Sequence, residues 1–217
     1  MPRTAATPEK IEQIRNDMIN EAISLINEAG FANFSMRKLG SRLDVTAKTI
    51  YNYFTDKDEL YLHILTRGFE MLRRSMEEAA APFSDPSRRL QAMAHAYVRF
   101  GIGNPYYYNV LFNLDLPRFI DYRGTKHEKL ADFENRTALA IAAMTKQTID
   151  TITKRRSRGE SREALYYLMK LWSILHGIVS LNNSRVTMEV GDFEKVIARM
   201  VDDAVKSLFS RQSEKKR

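Results

Sequence analysis

Three times in this chain a side chain able to cap a helix is followed at once by proline, at Thr7-Pro8, Asp85-Pro86 and Asn104-Pro105. Proline is tolerated at the first helical position, where its missing N–H would have no partner, and the preceding side chain can accept from the free amides of the first turn. Each pair therefore marks a helix start. Apolar residues recur at intervals of three and four, no alternating β-branched run reaches strand length, and no internal repeat is visible. The fold class expected is all-α, with about nine helices.

From Thr7-Pro8-Glu9 the first helix carries Ile11, Ile14, Met18, Ala22, Leu25, Ile26 and Ala29 on one face, and Gly30 supplies a left-handed stop. Ser35 can cap a short second helix with Leu39 and Leu43 inward; Thr46 can cap a third, shorter still, holding Ile50 and leading to Tyr53-Phe54. Asp56-Lys57-Asp58-Glu59 has the form of a capping box, Asp56 accepting from the new helix and Glu59 reaching back. The fourth helix continues through Leu60, Ile64, Leu65, Met71 and Leu72 and should end before Pro82. Pro117 and Gly124 break the chain, and long helices are expected at about 126–155, 161–182 and 192–210.

Two short helices joined by a tight turn form the unit that sets a helix into the major groove of DNA. Asp44-Val45 occupies the turn, and Leu39, Leu43, Val45, Ile50 and Phe54 point toward a small core with the first helix. Left outside are Ser35, Arg37, Lys38, Arg42, Lys48, Thr49, Asn52 and Tyr53, with Asp44 the only acid between Phe34 and Phe54. Net charge is a weaker pointer. Lys and Arg number 34 against 27 Asp and Glu, yet acids slightly outnumber bases in the first sixty residues. The excess lies in Lys154-Arg155-Arg156-Ser157-Arg158 and the tail Lys215-Lys216-Arg217, and such runs are usually solvated.

The run Ala29-Gly30-Phe31 … Phe34-Ser35-Met36-Arg37-Lys38-Leu39 … Leu43-Asp44-Val45-Thr46 … Thr49-Ile50-Tyr51-Asn52-Tyr53-Phe54 … Lys57-Asp58-Glu59-Leu60 resembles the DNA-binding domain of the TetR family of regulators, over about residues 8–68. Asp44 stands where that family more often has glycine, and aspartate also tolerates a left-handed turn. The resemblance implies that Ser35 and Arg37 open the second helix against a phosphate or groove-edge base, and that Lys48 and Thr49 face base edges. It implies backbone clamps at Tyr51 and Tyr53, with Asn52 beside them, and a phosphate contact at Lys57, where a cation and a helix N-terminus coincide. On the residues alone, Tyr51 also fits a core aromatic, and Arg37 and Lys48 fit ordinary solvated charges.

In the second half, Trp172 … His176-Gly177, together with Asn104-Pro105-Tyr106-Tyr107-Tyr108 … Leu111-Phe112, is similar to a Trp-His-Gly subgroup of that family. This implies that residues 69–210 form a ligand-binding and dimerisation domain, followed by a disordered basic tail at 211–217. An apolar or aromatic effector is expected, lined by Tyr97, Tyr107, Phe112, Trp172 and His176, although His176 also fits a core histidine satisfied by a neighbour. Gly177 in mid-helix costs about 1 kcal/mol relative to alanine, which close helix approach or ligand space would explain. A homodimer is expected across Leu165, Leu168, Met169, Trp172 and Leu175 of one helix and Phe193, Val196, Ile197, Met200, Val201 and Leu208 of the next. The function implied is that of a repressor, released from a near-palindromic double-stranded DNA operator by its small-molecule effector.

Other classes find little support. With no cysteine, disulfides, thiolate metal sites and cysteine nucleophiles are excluded, and a reducing cytoplasm fits. The N-terminus lacks an apolar targeting core, and Leu165 to Leu181 is interrupted by Lys170, Ser173, His176 and Ser180, so a soluble protein with no membrane partner is expected. A helical-bundle enzyme or carrier would need paired Glu-x-x-His motifs, whereas His63, His95, His127 and His176 are scattered and Asp202-Asp203 lies beside Lys206. No phosphate-binding glycine loop or nucleophile elbow occurs, so neither enzyme activity, cofactor, metal nor catalytic residue is expected. A sequence-independent nucleic-acid-binding protein is the remaining alternative, motivated by the two basic runs.

Overall fold

The computed structural model describes residues 7–153, 162–186 and 190–214, and the basic runs at 154–158 and 215–217 lie outside them. Among the described residues there are nine α-helices and no strand: α1 (Pro8–Ala29), α2 (Met36–Arg42), α3 (Ala47–Tyr51), α4 (Lys57–Ala80), α5 (Pro86–Gly103), α6 (Pro105–Tyr108), α7 (Glu128–Thr153), α8 (Arg162–Asn183) and α9 (Glu194–Glu214). All three proline signals mark helix starts, but only Thr7 and Asp85 cap with their side chains; the Asn104 amide instead donates back to Phe100 O at 3.0 Å. Thr7 Oγ1 accepts from the Lys10 N–H at 3.3 Å, Asp85 Oδ2 accepts from the Arg88 N–H at 2.8 Å, and Gly30 turns out of α1 at φ 78°. The helix α9 runs to Glu214, past the expected end near 210.

The chain divides into two compact units: Met1–Gly68 with Tyr106–Arg136, and Phe69–Pro105 with Thr137–Arg217. In the first, α1 buries Met18, Ile19, Ala22, Ile23 and Ile26. Its inner stripe is thus rotated from the expected one: Ile11 and Ala29 face out, and Ile19 and Ile23 take their place. After α6 the chain makes a π-helical turn, Asn109–Asn113, and later a single 3-10 turn, Phe119–Tyr122. This stretch docks on the N-terminal helices. Asn27 Nδ2 donates to Tyr106 O at 3.1 Å, Tyr61 Oη donates to Pro117 O at 3.1 Å, and Gly68 meets Tyr107 and Leu111 so closely that an added Cβ would lie 2.9 Å from the Tyr107 ring. Only glycine fits there, because real Cβ contacts do not come that close.

In the second unit α5, α8 and α9 pack on one another and bury Leu90, Met93, Tyr97, Leu168, Leu171, Leu175, Val201 and Leu208. Four residues expected at a dimer face, Leu168, Leu175, Val201 and Leu208, are therefore core of their own chain. Leu165, Tyr166, Met169 and Val196 are the large apolar side chains that stay exposed on α8 and α9 along with Leu181. Residues 163–183 are long and apolar enough to cross a membrane by length and composition, yet one side of this helix is the core just described. Around Gly177 an added Cβ meets nothing within 4 Å among the described residues, so close helix approach among them does not account for this glycine.

Candidate nucleic-acid interface

Helices of seven and five residues are too short to persist alone, so α2 and α3 depend on caps and packing. Ser35 Oγ accepts from the Lys38 N–H at 3.2 Å and Thr46 Oγ1 from the Thr49 N–H at 3.2 Å, so each helix begins on its own side-chain cap. Between them Asp44 takes φ 54°, a left-handed turn that aspartate tolerates. Gly40 completes the corner: Val45 N–H donates to Gly40 O at 2.9 Å, and a Cβ at Gly40 would lie 2.8 Å from Val45 O. Leu39, Ile50 and Phe54 are buried beneath, whereas Val45, expected inside, is 37% exposed because the turn lifts it off the core.

What remains outside is a polar, hydrogen-bonding face. Arg37, Lys48 and Asn52 are exposed, Tyr51 is 52% exposed, and Ser35, Thr49 and Tyr53 are half-buried. The exposure of Tyr51 disposes of the core-aromatic alternative. Thr49 Oγ1 lies 3.0 Å from Thr46 Oγ1, and Lys38 Nζ donates to Asn33 O at 2.8 Å, so Thr49 and Lys38 are held by neighbours. Arg42 is not free for a phosphate: its guanidinium lies 2.6 Å from Glu21 and 2.5 Å from Glu28, and those carboxylates push its pKa up.

The start of α4 is built as a box with one correction. Asp56 Oδ1 accepts from the N–H groups of Asp58 and Glu59 at 3.1 and 3.0 Å, but Glu59 reaches back to Thr55, whose N–H and hydroxyl each donate to it at 2.6 Å. Lys57 Nζ sits 4.7 Å above the centre of the Phe31 ring, a cation–π contact that holds the ammonium at the helix N-terminus. With the Asp58 and Glu59 amides taken by Asp56, the helix dipole and the fixed cation are what suit this end of α4 to a phosphate oxygen.

Sequence reasoning missed Arg15. From α1 its Nη1 donates to Tyr53 O at 2.5 Å, its guanidinium lies 4.3 Å over the Phe54 ring, and Nη2 is 3.2 Å from His63 Nε2. It thereby closes the chain just after α3. Burial, and then the Arg15 charge, push the His63 pKa down, which keeps its ring neutral to face a cation. No local pattern signals this contact, since the partners are 38 positions apart.

Two of the five expected ligand residues, Tyr97 and Trp172, line one cavity of about 30 Å³ within the second unit, with Met76, Met93, Ala142 and Thr145 among the other walls. Tyr107 and Phe112 do not line it: they belong to the first unit, where Tyr107 packs on Gly68 and the Phe112 ring lies 5.1 Å from that of Tyr108. His176 is half-buried on α8, outside the lining, and burial lowers its pKa.

The fold is shared with solved structures. The fatty acid degradation regulator FadR from Bacillus halodurans superposes with a TM-score of 0.66 at 12% identity, covering 93% of this chain and 97% of that one. In sequence, the chain is 29% identical over 91 residues to the transcriptional repressor KstR of Mycolicibacterium smegmatis, covering 42% of this chain and 45% of the relative. It is 25% identical over 104 residues to the transcriptional activator FasR of the same organism, 48% of each. The chain thus spans about half the length of the curated relatives it matches. Residues 18–64 match the model of bacterial regulatory proteins of the tetR family, and residues 90–204 match a tetracyclin repressor-like C-terminal domain. With more than half of its residues in these matches, and with the fold and the corner that they require, the chain belongs to the TetR family of bacterial regulatory proteins.

Proposed function

We propose that this chain is a transcriptional repressor that binds a near-palindromic operator as a homodimer and acts by binding, not by catalysis, in the bacterial cytoplasm. The observation that carries the reading is the division of α3 and its flanks: Ile50 and Phe54 are buried, and Lys48, Tyr51 and Asn52 are exposed. A helix held by one face and polar on the other presents hydrogen-bonding side chains to base edges, with Lys48 and Thr49 reading bases and Arg37, Tyr51, Tyr53 and Lys57 taking phosphates. Selection of duplexes from a random pool by the purified protein should recover an inverted repeat whose half-sites lie about one helical turn apart. Lys48→Ala and Thr49→Ala should weaken binding to it more than to mixed-sequence DNA. Absence of any enriched repeat would overturn the assignment.

The dimer is proposed across the exposed sides of α8 and α9, where Leu165, Tyr166, Met169 and Val196 lie, and the open space at Gly177 leaves room for close approach of a partner helix. Membership of the Trp-His-Gly subgroup, suggested by Trp172, His176 and Gly177, is part of the same proposal. A charge at Met169 tests it without touching the core: Met169→Glu should give folded monomers, and an unchanged dimer by sedimentation would refute the surface.

Release by an apolar or aromatic effector is proposed at the cavity bounded by Tyr97, Thr145 and Trp172. Small-molecule sites enclose about 300–1,000 Å³, far more than the 30 Å³ present, so an effector enters only by parting α5, α7 and α8. Its differential affinity for the parted state, typically about 1–3 kcal/mol in allosteric proteins, is then available to lower operator affinity. A panel of acyl and aromatic compounds read by thermal shift and operator release should yield compounds active in both. Compounds that stabilise the protein and leave operator affinity unchanged would refute release.

A further inference from the structure

Lys57 stands between two carboxylates. Asp56 is fixed at its position because it caps α4, accepting from the Asp58 and Glu59 amides, and Asp58 follows Lys57 directly. A phosphate approaching the Lys57 ammonium would meet both negative side chains, and their repulsion would cancel much of the attraction. The chain supplies an answer from a distant stretch of the same unit. Lys126 Nζ lies 2.5 Å and His127 Nε2 lies 2.9 Å from Asp56 Oδ2, and the Tyr122 hydroxyl donates to Asp58 Oδ1 at 3.0 Å.

These three residues are themselves held in place. Thr125 Oγ1 donates to Tyr122 O at 2.8 Å and accepts from the His127 N–H at 3.2 Å, while the Gly124 N–H donates to Glu128 Oε2 at 3.0 Å. The Tyr122 and His127 rings meet edge to face at 6.3 Å. Burial works against ionisation of Asp56, but Lys126, the Glu59 amide and His127 hold its pKa down to about 2. It is therefore charged at any working pH, and the need to offset it is permanent. As a source of stability an exposed pair such as Lys126–Asp56 counts for little, so its location beside Lys57 is the informative part.

We propose that Tyr122, Lys126 and His127 are positioning residues for DNA binding, a clasp that offsets and restrains the two acids flanking Lys57 so that the start of α4 accepts a phosphate. The inference rests on Lys57 being a phosphate contact. Since the clasp touches no base, it raises affinity for all duplexes alike.

The test is a charge rescue in the full-length protein. Lys126→Ala/His127→Gln is compared with wild type on a palindromic duplex recovered by selection and on a mixed-sequence duplex of equal length. Asp56→Asn is then added, because asparagine caps a helix as well as aspartate and carries no charge. The double variant should bind both duplexes about tenfold more weakly, and Asp56→Asn should restore most of that loss. Wild-type affinity in the double variant overturns the inference, and so does failure of Asp56→Asn to restore binding, which is the outcome expected if Lys126 touched phosphate itself. Tyr122→Phe keeps the ring and loses only the hydroxyl. It should weaken binding about threefold while the variant stays folded at the assay temperature, and unchanged binding removes the Asp58 half of the clasp. Lys57→Ala separates the two levels. If it leaves affinity unchanged, the phosphate assignment has failed; if it weakens binding and the double variant does not, only the clasp has failed.

Discussion

Glu134, on α7 in the first unit, is 6% exposed, and its burial pushes the carboxyl pKa up from 4.5 to about 7, with Arg118 drawing it back only in part. The acid is thus neutral in the folded chain over a range where it is ionised in the unfolded one. Between pH 4.5 and 7 the folded state binds the extra proton, so stability falls as pH rises, by about 1.4 kcal/mol per unit. The contribution is complete below pH 4.5 and gone above pH 7. A gap of about 2.5 units corresponds to roughly 3 kcal/mol. Glu134→Gln keeps the shape and removes the titration. Urea unfolding of both proteins at several pH values from 4.5 to 8 isolates this group, because all others cancel in the difference. The variant should gain on wild type steadily through that window, reaching about 3 kcal/mol, or roughly 6–12 °C in melting temperature, at pH 8. Any fixed cost of burying the amide shifts the whole difference curve and leaves its slope alone. A difference that is flat from pH 4.5 to 8 would refute the assignment.

Four further outcomes follow from particular contacts. Gly40→Ala places a methyl 2.8 Å from Val45 O and should cost about 1–3 kcal/mol and abolish operator binding, read by thermal unfolding and gel shift. Arg15→Met removes the donor to Tyr53 O and should weaken operator binding with a loss of about 1–3 kcal/mol in urea unfolding; unchanged binding would show that closure after α3 is unimportant. The Tyr107 hydroxyl is buried without a hydrogen-bond partner among the described residues, so Tyr107→Phe should be neutral or stabilising by about 1 kcal/mol, and a clear loss of stability would mean that the hydroxyl is satisfied. Ala142→Val narrows the cavity and should blunt any effector response while leaving operator binding in place, measured by titrating an active compound against the protein–DNA complex.

Much of the interface was legible because its signals are local. Caps at Ser35 and Thr46, an aspartate where the turn needs positive φ, and the spacing of Leu39, Ile50 and Phe54 act within a few residues of one another, and each does in the structure what its chemistry dictates. Failures arose where a tertiary partner decides. Arg42 looks like one more groove-facing cation until Glu21 and Glu28 are brought beside it, and Val45 looks apolar enough for a core that the turn carries it away from. On α8 and α9 the apolar faces are broad, and periodicity alone does not say which part packs within the chain, so Val201 and Leu208 read the same as Val196. Composition likewise does not say which unit Tyr107 and Phe112 join, and the cavity of the second unit is lined without them.

The long-range contacts of the first unit share a purpose that the local motif does not express. Two helices of seven and five residues can be aimed only if α1 and the first turns of α4 are themselves fixed. Their anchors come from residues 106–136: Tyr106 O and Asn109 on Asn27 of α1, Tyr107 and Leu111 on Gly68, Pro117 O on Tyr61, Tyr122 on Asp58, and Lys126 and His127 on Asp56. Four of these partners lie on one side of the motif's end, from Asp56 to Gly68, so the stretch holds the helix that Lys57 opens. A shift of residues 117–127, whose contacts are with Asp56, Asp58 and Tyr61, would alter the setting of Lys57 before it disturbed α2 or α3. If Lys57 takes a phosphate as proposed, a change in this segment should register there first, as a loss of affinity common to all sequences, while the discrimination proposed for Lys48 and Thr49 persists.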